Sequence, residues 1–189
     1  TLESRHLGLK LPEEVEHLRE KIAYAGEELQ KTLDIEGLLQ IADEAEEILE
    51  TSREKTGVKK VDTEQPVIAV AKDEAFCFYY EDNLRLLEEA GAKLQYFSPV
   101  HDTKLPEHCD GILLGGGYPE LYAKELEVNR EMRDAIKAAI CVGVPSVAEC
   151  GGFMYLHEKL TDAKGQTYEM AGAIPESCHY TGKLVRFGY

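Results

Sequence analysis

Positive charge is scarce in this sequence: 21 Lys and Arg stand against 36 Asp and Glu, a formal charge of −15. Residues 1–66 hold nine of the cations and seventeen of the acids, so about half of the excess lies in the first third. A surface of that sign repels phosphate, which argues against a nucleic-acid or anionic-membrane partner. Solvated helix faces account for the acidity without any partner. Long apolar runs are also missing: none approaches the ~18 residues of a membrane span, and no signal-peptide pattern is visible. The five cysteines, Cys77, Cys109, Cys141, Cys150 and Cys178, are odd in number, and no two have CxxC spacing. A disulfide framework and a zinc knuckle are therefore poorly supported, and a reducing cytoplasm is the expected setting. There is no internal repeat. The sequence begins on Thr rather than Met, and it stops at Arg186-Phe187-Gly188-Tyr189 inside a strand-like run, so it reads as a piece of something longer.

The composition, 43% hydrophobic and 30% charged, suits a packed domain with an appendage. Residues 11–50 read as two helices. Val15, Leu18, Ile22, Ala25 and Leu29 recur at steps of three and four, forming one helical stripe. Pro12, Glu13 and Glu14 suit the first turn of that helix. Ile35, Leu38, Leu39, Ala42, Ala45, Ile48 and Leu49 repeat the pattern. Two stripes cannot close a core alone, so these helices need a further element to pack on. Residues 51–65 are polar and aperiodic, as a linker is.

After Pro66 the texture changes. Val67-Ile68-Ala69-Val70-Ala71 is a continuous apolar run, expected of a strand buried on both faces. A helix follows at about 82–91, stopped by Gly91, and then a strand over Lys93–Phe97. Gly111-Ile112-Leu113-Leu114 is a further buried strand, a helix covers 129–140, a strand leads through 144–148, and a helix is expected over 153–160. Strands are also expected near 167–173 and 183–188. This alternation predicts an α/β fold, a parallel sheet with helices on both faces.

Two features at the strand ends carry chemistry. Cys150 follows a strand, precedes Gly151-Gly152 and opens a helix, with small residues two before (Ala148) and two after (Gly152). That is the nucleophile-elbow pattern with Cys for Ser: a sharp turn lifts the side chain above the sheet, at a helix start where negative charge is favoured. The Gly151 amide would point at the oxygen of a tetrahedral intermediate. A buried, inert cysteine is the alternative. The second feature is Gly115-Gly116-Gly117-Tyr118-Pro119-Glu120, where three glycines allow close backbone approach and one amide could supply a second oxyanion donor. No Gly-Lys-Ser/Thr follows, so a phosphate loop is discounted; a plain tight turn remains open. The loop 74–83 carries Phe76, Phe78, Tyr79 and Tyr80, which either wall a pocket or pack on the sheet edge, while Cys77 reads as structural. A thiol nucleophile also needs a general base. Of the six histidines, His6 and His17 precede the domain, His101 and His108 read as surface residues, His157 is carried two turns down a helix, and His179 sits in an apparent turn. None fits.

Taken in order, these motifs resemble the cobyrinic acid a,c-diamide synthase family. The resemblance rests on Ala75-Phe76, Phe78-Tyr79-Tyr80, Asn83-Leu84, Phe97-Ser98-Pro99, Asp110-Gly111, Leu114 through Glu120, Ala148-Glu149-Cys150-Gly151-Gly152, Met154-Tyr155-Leu156, Arg186 and Gly188-Tyr189. It covers 66–189 almost throughout, and the leader Arg5-His6-Leu7-Gly8-Leu9 with the helices to about residue 50 resembles the tail of the family's synthetase domain. It implies a flavodoxin-like class I glutamine amidotransferase domain at 66–189, a linker at 51–65 and a synthetase tail at 1–50. Cys150 would attack the amide of L-glutamine, Gly151 would donate to the oxyanion, and Gly116, Gly117 and Tyr118 would contact substrate. Ammonia would pass to a synthetase domain that uses ATP and Mg²⁺ to amidate the a and c carboxylates of a corrin-type tetrapyrrole, with neither cofactor held by this piece. The family's catalytic histidine lies in a Gly-His-Glu-like segment beyond Tyr189, which implies little or no turnover by this piece alone. Amidation of another tetrapyrrole such as nickel-sirohydrochlorin, a non-catalytic flavodoxin-like module, and a cysteine hydrolase of the same fold are the rival readings.

Overall fold

The computed structural model describes residue 10 and residues 12–46 and 65–183, which form two units, one on each side of the gap. In the first, α1 (Leu18–Thr32) and α2 (Ile35–Asp43) follow the expected periodicity. Leu33 is extended between them, and the Asp34 carboxylate accepts the Gly37 amide at 3.0 Å, capping α2. Pro12 does not begin α1. It opens a separate 3-10 turn, Pro12–Glu14, and His17 at φ 55 breaks the path before Leu18. No side chain of either helix is buried: Ile22, Leu29 and Leu39 of the two stripes are all more than half exposed. Ile48, Leu49 and nearly all of the expected linker lie outside the described residues.

The second unit is built on four parallel strands, β1 (Val67–Ala71), β3 (Lys93–Phe97), β4 (Gly111–Leu114) and β6 (Ser146–Ala148), in the order β3-β1-β4-β6. Register explains the continuous apolar runs. Ala69 and Ala71 lie opposite Ile112 and Leu114 on one face, with Ala148 beside Leu114. This face packs against Met132 and Ile136 of α5 (Arg130–Cys141) and Tyr155 of α6 (Gly151–Leu156), all fully buried. Ile68, Val70 and Leu113 point the other way, where α3 (Glu81–Glu89) supplies the buried Leu84. β1 and β4 are therefore apolar at every position because both faces are covered. β3 and β6 are the two outer strands of this sheet among the described residues, and β6 leaves Ser146 and Val147 exposed.

A short antiparallel pair, β2 (Phe76–Phe78) with β5 (Gly116–Gly117), lies beyond the carboxyl ends of β1 and β4. A helical turn at Pro119–Leu121 and α4 (Ala123–Val128), a helix the sequence pattern did not mark, lead into α5. The expected helix over 153–160 is corrected: α6 ends at Leu156, and His157–Thr161 form β7. β7 pairs antiparallel with β8 (Thr167–Glu169) and parallel with β9 (Ile174–His179), and this non-local pairing overrides the local helical pattern. His179 accordingly closes a strand rather than sitting in a turn. The strand expected near 183–188 lies outside the described residues apart from Lys183.

Candidate active site

The carboxyl ends of β4 and β6 are tied together backbone to backbone. The Glu149 amide donates to the Leu114 carbonyl at 3.0 Å, and the Gly152 amide donates to the carbonyls of Gly115 at 3.0 Å and Glu149 at 2.9 Å. Between those anchors the chain turns through Cys150 at φ 48, ψ −114. A side-chain-bearing residue rarely adopts that backbone, and it persists where the surroundings over-determine it. Here the surroundings are glycines. A Cβ on Gly152 would overlap the Leu114 carbonyl, and one on Gly151 would stand 2.7 Å from Pro119 Cδ. The turn thus has backbone on its inner side, and the Cys150 side chain is left exposed. The elbow geometry anticipated from Ala148, Cys150 and Gly152 is present.

The glycine run is not a loose loop. Gly116 and Gly117 form β5 and are buried. A methyl group built on Gly116 would lie 3.6 Å from Cys150 Cβ, and one built on Gly151 would lie 3.1 Å from both the nitrogen and the oxygen of Gly117. Four of the five residues singled out from sequence, Cys150, Gly151, Gly116 and Gly117, therefore share one small region. The Gly151 amide, at the first position of α6, has no partner within its own helix. An amide so placed beside a thiol is suited to an oxyanion.

Tyr118 differs from its expected place. It is 1% exposed, its ring meets Phe78 edge-on with centroids 5.4 Å apart, and its amide donates to the Ala75 carbonyl at 3.0 Å. It supports the floor of the region rather than presenting a side chain to a ligand. The other aromatics of the 74–83 loop divide likewise: Phe76 is buried against Tyr155, whereas Tyr80 is 77% exposed. Phe76 packs on the sheet edge, while Tyr79 and Tyr80 line an open cavity with Asn83, Leu84 and Glu149.

Sequence reasoning missed Tyr79. Its hydroxyl donates to the Ala71 carbonyl and accepts the Gly115 amide at 2.8 Å, and its ring lies where a Gly115 side chain would be. Burial pushes its pKa up to about 12; the bond from Gly115 opposes that rise, and the charges of Asp73 and Glu149 add to it. The one available clue was a tyrosine in the loop facing the glycine run. Asp73 braces the same edge: one carboxylate oxygen accepts the Ala75 and Phe76 amides, and the other accepts the Ser98 hydroxyl at 2.8 Å and the Val100 amide at 2.9 Å.

No histidine joins Cys150 by a hydrogen bond or ion pair among the described residues. His157 is buried at the start of β7, with Nδ1 2.9 Å from the Phe153 carbonyl, and His101 pairs with Glu74 at 2.7 Å. The other thiols have different settings. Cys109 donates to the Gly111 carbonyl at 3.1 Å, and burial pushes the Cys178 thiol up. Two amides of the glycine run are taken by protein acceptors, Gly115 by the Tyr79 hydroxyl and Tyr118 by the Ala75 carbonyl. No helix among the described residues is long and apolar enough to cross a membrane.

A family model described as a CobB/CobQ-like glutamine amidotransferase domain matches residues 67–189. Curated relatives align over almost the whole chain. A cobyrinate a,c-diamide synthase of Dehalococcoides mccartyi strain CBDB1 is 43% identical over 185 residues, 98% of this chain and 40% of the relative. One from Fusobacterium nucleatum is 41% identical over 203 residues, all of this chain and 44% of the relative. One from Methanosarcina acetivorans is 46% identical over 162 residues, 78% of this chain and 32% of the relative. The chain thus spans about two fifths of the length of the first two and a third of the last.

Proposed function

We propose that this chain, which belongs to the CobB/CobQ-like glutamine amidotransferase family, is the glutamine-hydrolysing part of an enzyme that amidates the a and c carboxylates of cobyrinic acid. The observation that carries the reading is the elbow itself: an exposed Cys150 at a left-handed backbone angle between the Glu149 and Gly152 amide anchors, with β5 packed against it.

In this reading Cys150 Sγ bonds to the side-chain amide carbon of L-glutamine, and the carbonyl electrons move onto oxygen. The Gly151 amide and an amide of Gly116 or Gly117 stabilise that oxyanion. Collapse expels ammonia once its nitrogen is protonated and leaves a thioester, which water hydrolyses to glutamate and free thiol. The proton donor and acceptor would be a histidine outside the described residues, as the resemblance implies. Ammonia would then serve a synthetase domain where ATP and Mg²⁺ activate the tetrapyrrole carboxylate; no step among the residues described here runs through either. The helices before residue 50 would be the tail of that synthetase domain, and the reaction would proceed in the cytoplasm.

The test uses two measurements. A glutamine analogue bearing a chloromethyl ketone in place of its amide is expected to alkylate Cys150 saturably, and Cys150→Ala abolishes the adduct. Incubation with glutamine should release glutamate slowly or not at all. Failure of the analogue to prefer Cys150 over Cys77 and Cys109 would overturn the glutaminase reading. Brisk glutamate release lost in Cys150→Ala would instead overturn the need for an outside histidine.

A further inference from the structure

The contacts that shape the Cys150 turn are chiefly main-chain ones, the Pro119 ring against Gly151 apart. The series can be followed atom by atom. β1 and β4 run together until the Ala71–Leu114 pair and then part. At the point of parting, one side chain enters. The Tyr79 hydroxyl gives its proton to the Ala71 carbonyl and takes the Gly115 amide at 2.8 Å. The carbonyl of the same Gly115 accepts the Gly152 amide at 3.0 Å, two residues beyond Cys150. Gly116, the next residue, is the one whose backbone lies beside Cys150 Cβ.

We propose that Tyr79 is a positioning residue for the Cys150 site. Its hydroxyl fixes the orientation of the Gly115 peptide, and through it both the glycine strand beside the thiol and the Gly152 anchor of the elbow. This rests on the glutaminase reading and adds to it the residue that holds the oxyanion donors in place. Several details favour the hydroxyl over the ring as the working part. It occupies both a donor and an acceptor role, on two strands that have no ladder bonds left to join them at that point. A half-buried hydroxyl with both roles filled is costly to lose, because the Gly115 amide and Ala71 carbonyl would each lose a partner. The ring fills the space a Gly115 side chain would take, so a phenylalanine keeps the packing and removes only the bonds. Tyr80, one residue on and 77% exposed, has the same chemistry without the position.

The experiment compares Tyr79→Phe with Tyr80→Phe, using two electrophiles on Cys150. The chloromethyl ketone analogue of glutamine reacts through a tetrahedral adduct whose oxyanion needs the amide donors. Iodoacetamide loses iodide by direct displacement and builds no oxyanion. The expected result for Tyr79→Phe is a saturating ketone rate lower on the order of tenfold, less than the ~10²–10³ that follows outright removal of an oxyanion donor. The half-saturating concentration and the iodoacetamide rate should stay close to wild type, and Tyr80→Phe should match wild type throughout. Amide hydrogen exchange gives an independent check: Gly115 and Gly152 lose protection together in Tyr79→Phe while Ala69 and Ile112 keep theirs. An unchanged ketone rate, an equal fall with both electrophiles, or exchange that rises throughout the sheet would each overturn the proposal. If wild type itself shows no saturable labelling at Cys150, the glutaminase reading falls and this inference with it. If wild type labels and Tyr79→Phe labels identically, only this inference falls.

Discussion

The glycines at the two ends of the parallel sheet behave differently. At the carboxyl end, Gly117, Gly151 and Gly152 stand where any side chain would collide with main chain or with Pro119. At the amino end, Gly91 before β3 and Gly143 before β6 have open space around them but sit at φ 104 and φ 96. The amino end needs glycine to turn a helix back into a strand, which is a matter of dihedral strain. The carboxyl end needs glycine so that three stretches of backbone can touch, which is a matter of volume. Only the second kind shapes the exposed face of Cys150.

Substitutions can separate the two kinds. Gly152→Val should have the largest effect, because its branched side chain would have to displace the Leu114 carbonyl that anchors Glu149; a loss of more than about 3 kcal/mol, or no folded protein, is expected in urea denaturation. Gly117→Ala drives a Cβ onto the Ala75 carbonyl that holds the Tyr118 amide. It should cost about 2–3 kcal/mol and slow Cys150 alkylation. Gly143→Ala should cost only ~1–2 kcal/mol, the strain of a left-handed alanine, and leave alkylation unchanged. If alkylation fell with it, the contrast between the two ends would collapse. Cys150→Gly sharpens the comparison from the other side: it removes the thiol and relieves φ 48, so stability should rise by about 1 kcal/mol as reactivity disappears.

How far the sequence discloses this molecule follows from where each element's partners are. β1 and β4 are legible because burial on both faces makes every position apolar. The Ala148, Cys150, Gly152 spacing is legible because the elbow's steric demands fall within five residues. β7 is not legible: His157-Glu158-Lys159-Leu160-Thr161 is a strand because β8 and β9 flank it, and no local pattern says so. Reading on from α6 therefore carries His157 along a helix that has already ended. Tyr79 is hidden for a related reason. Its partners are the main chain of Ala71 and Gly115, the latter 36 positions away, and main-chain partners leave no residue type to recognise. Tyr118 misleads because it adjoins the glycines yet turns inward to Phe78.

The outer strand β6 has a practical consequence for work with the purified chain. Its outer rim has no paired strand among the described residues, and with Val147 63% exposed it is a ready template for another strand. A formal charge of −15 keeps copies apart in dilute buffer. Raising the salt shortens the reach of that repulsion to roughly 3 Å at 1 M. Light scattering should therefore show self-association growing with ionic strength at neutral pH, and Val147→Lys should suppress it, making the outer rim of β6 the first place to engineer for a well-behaved sample.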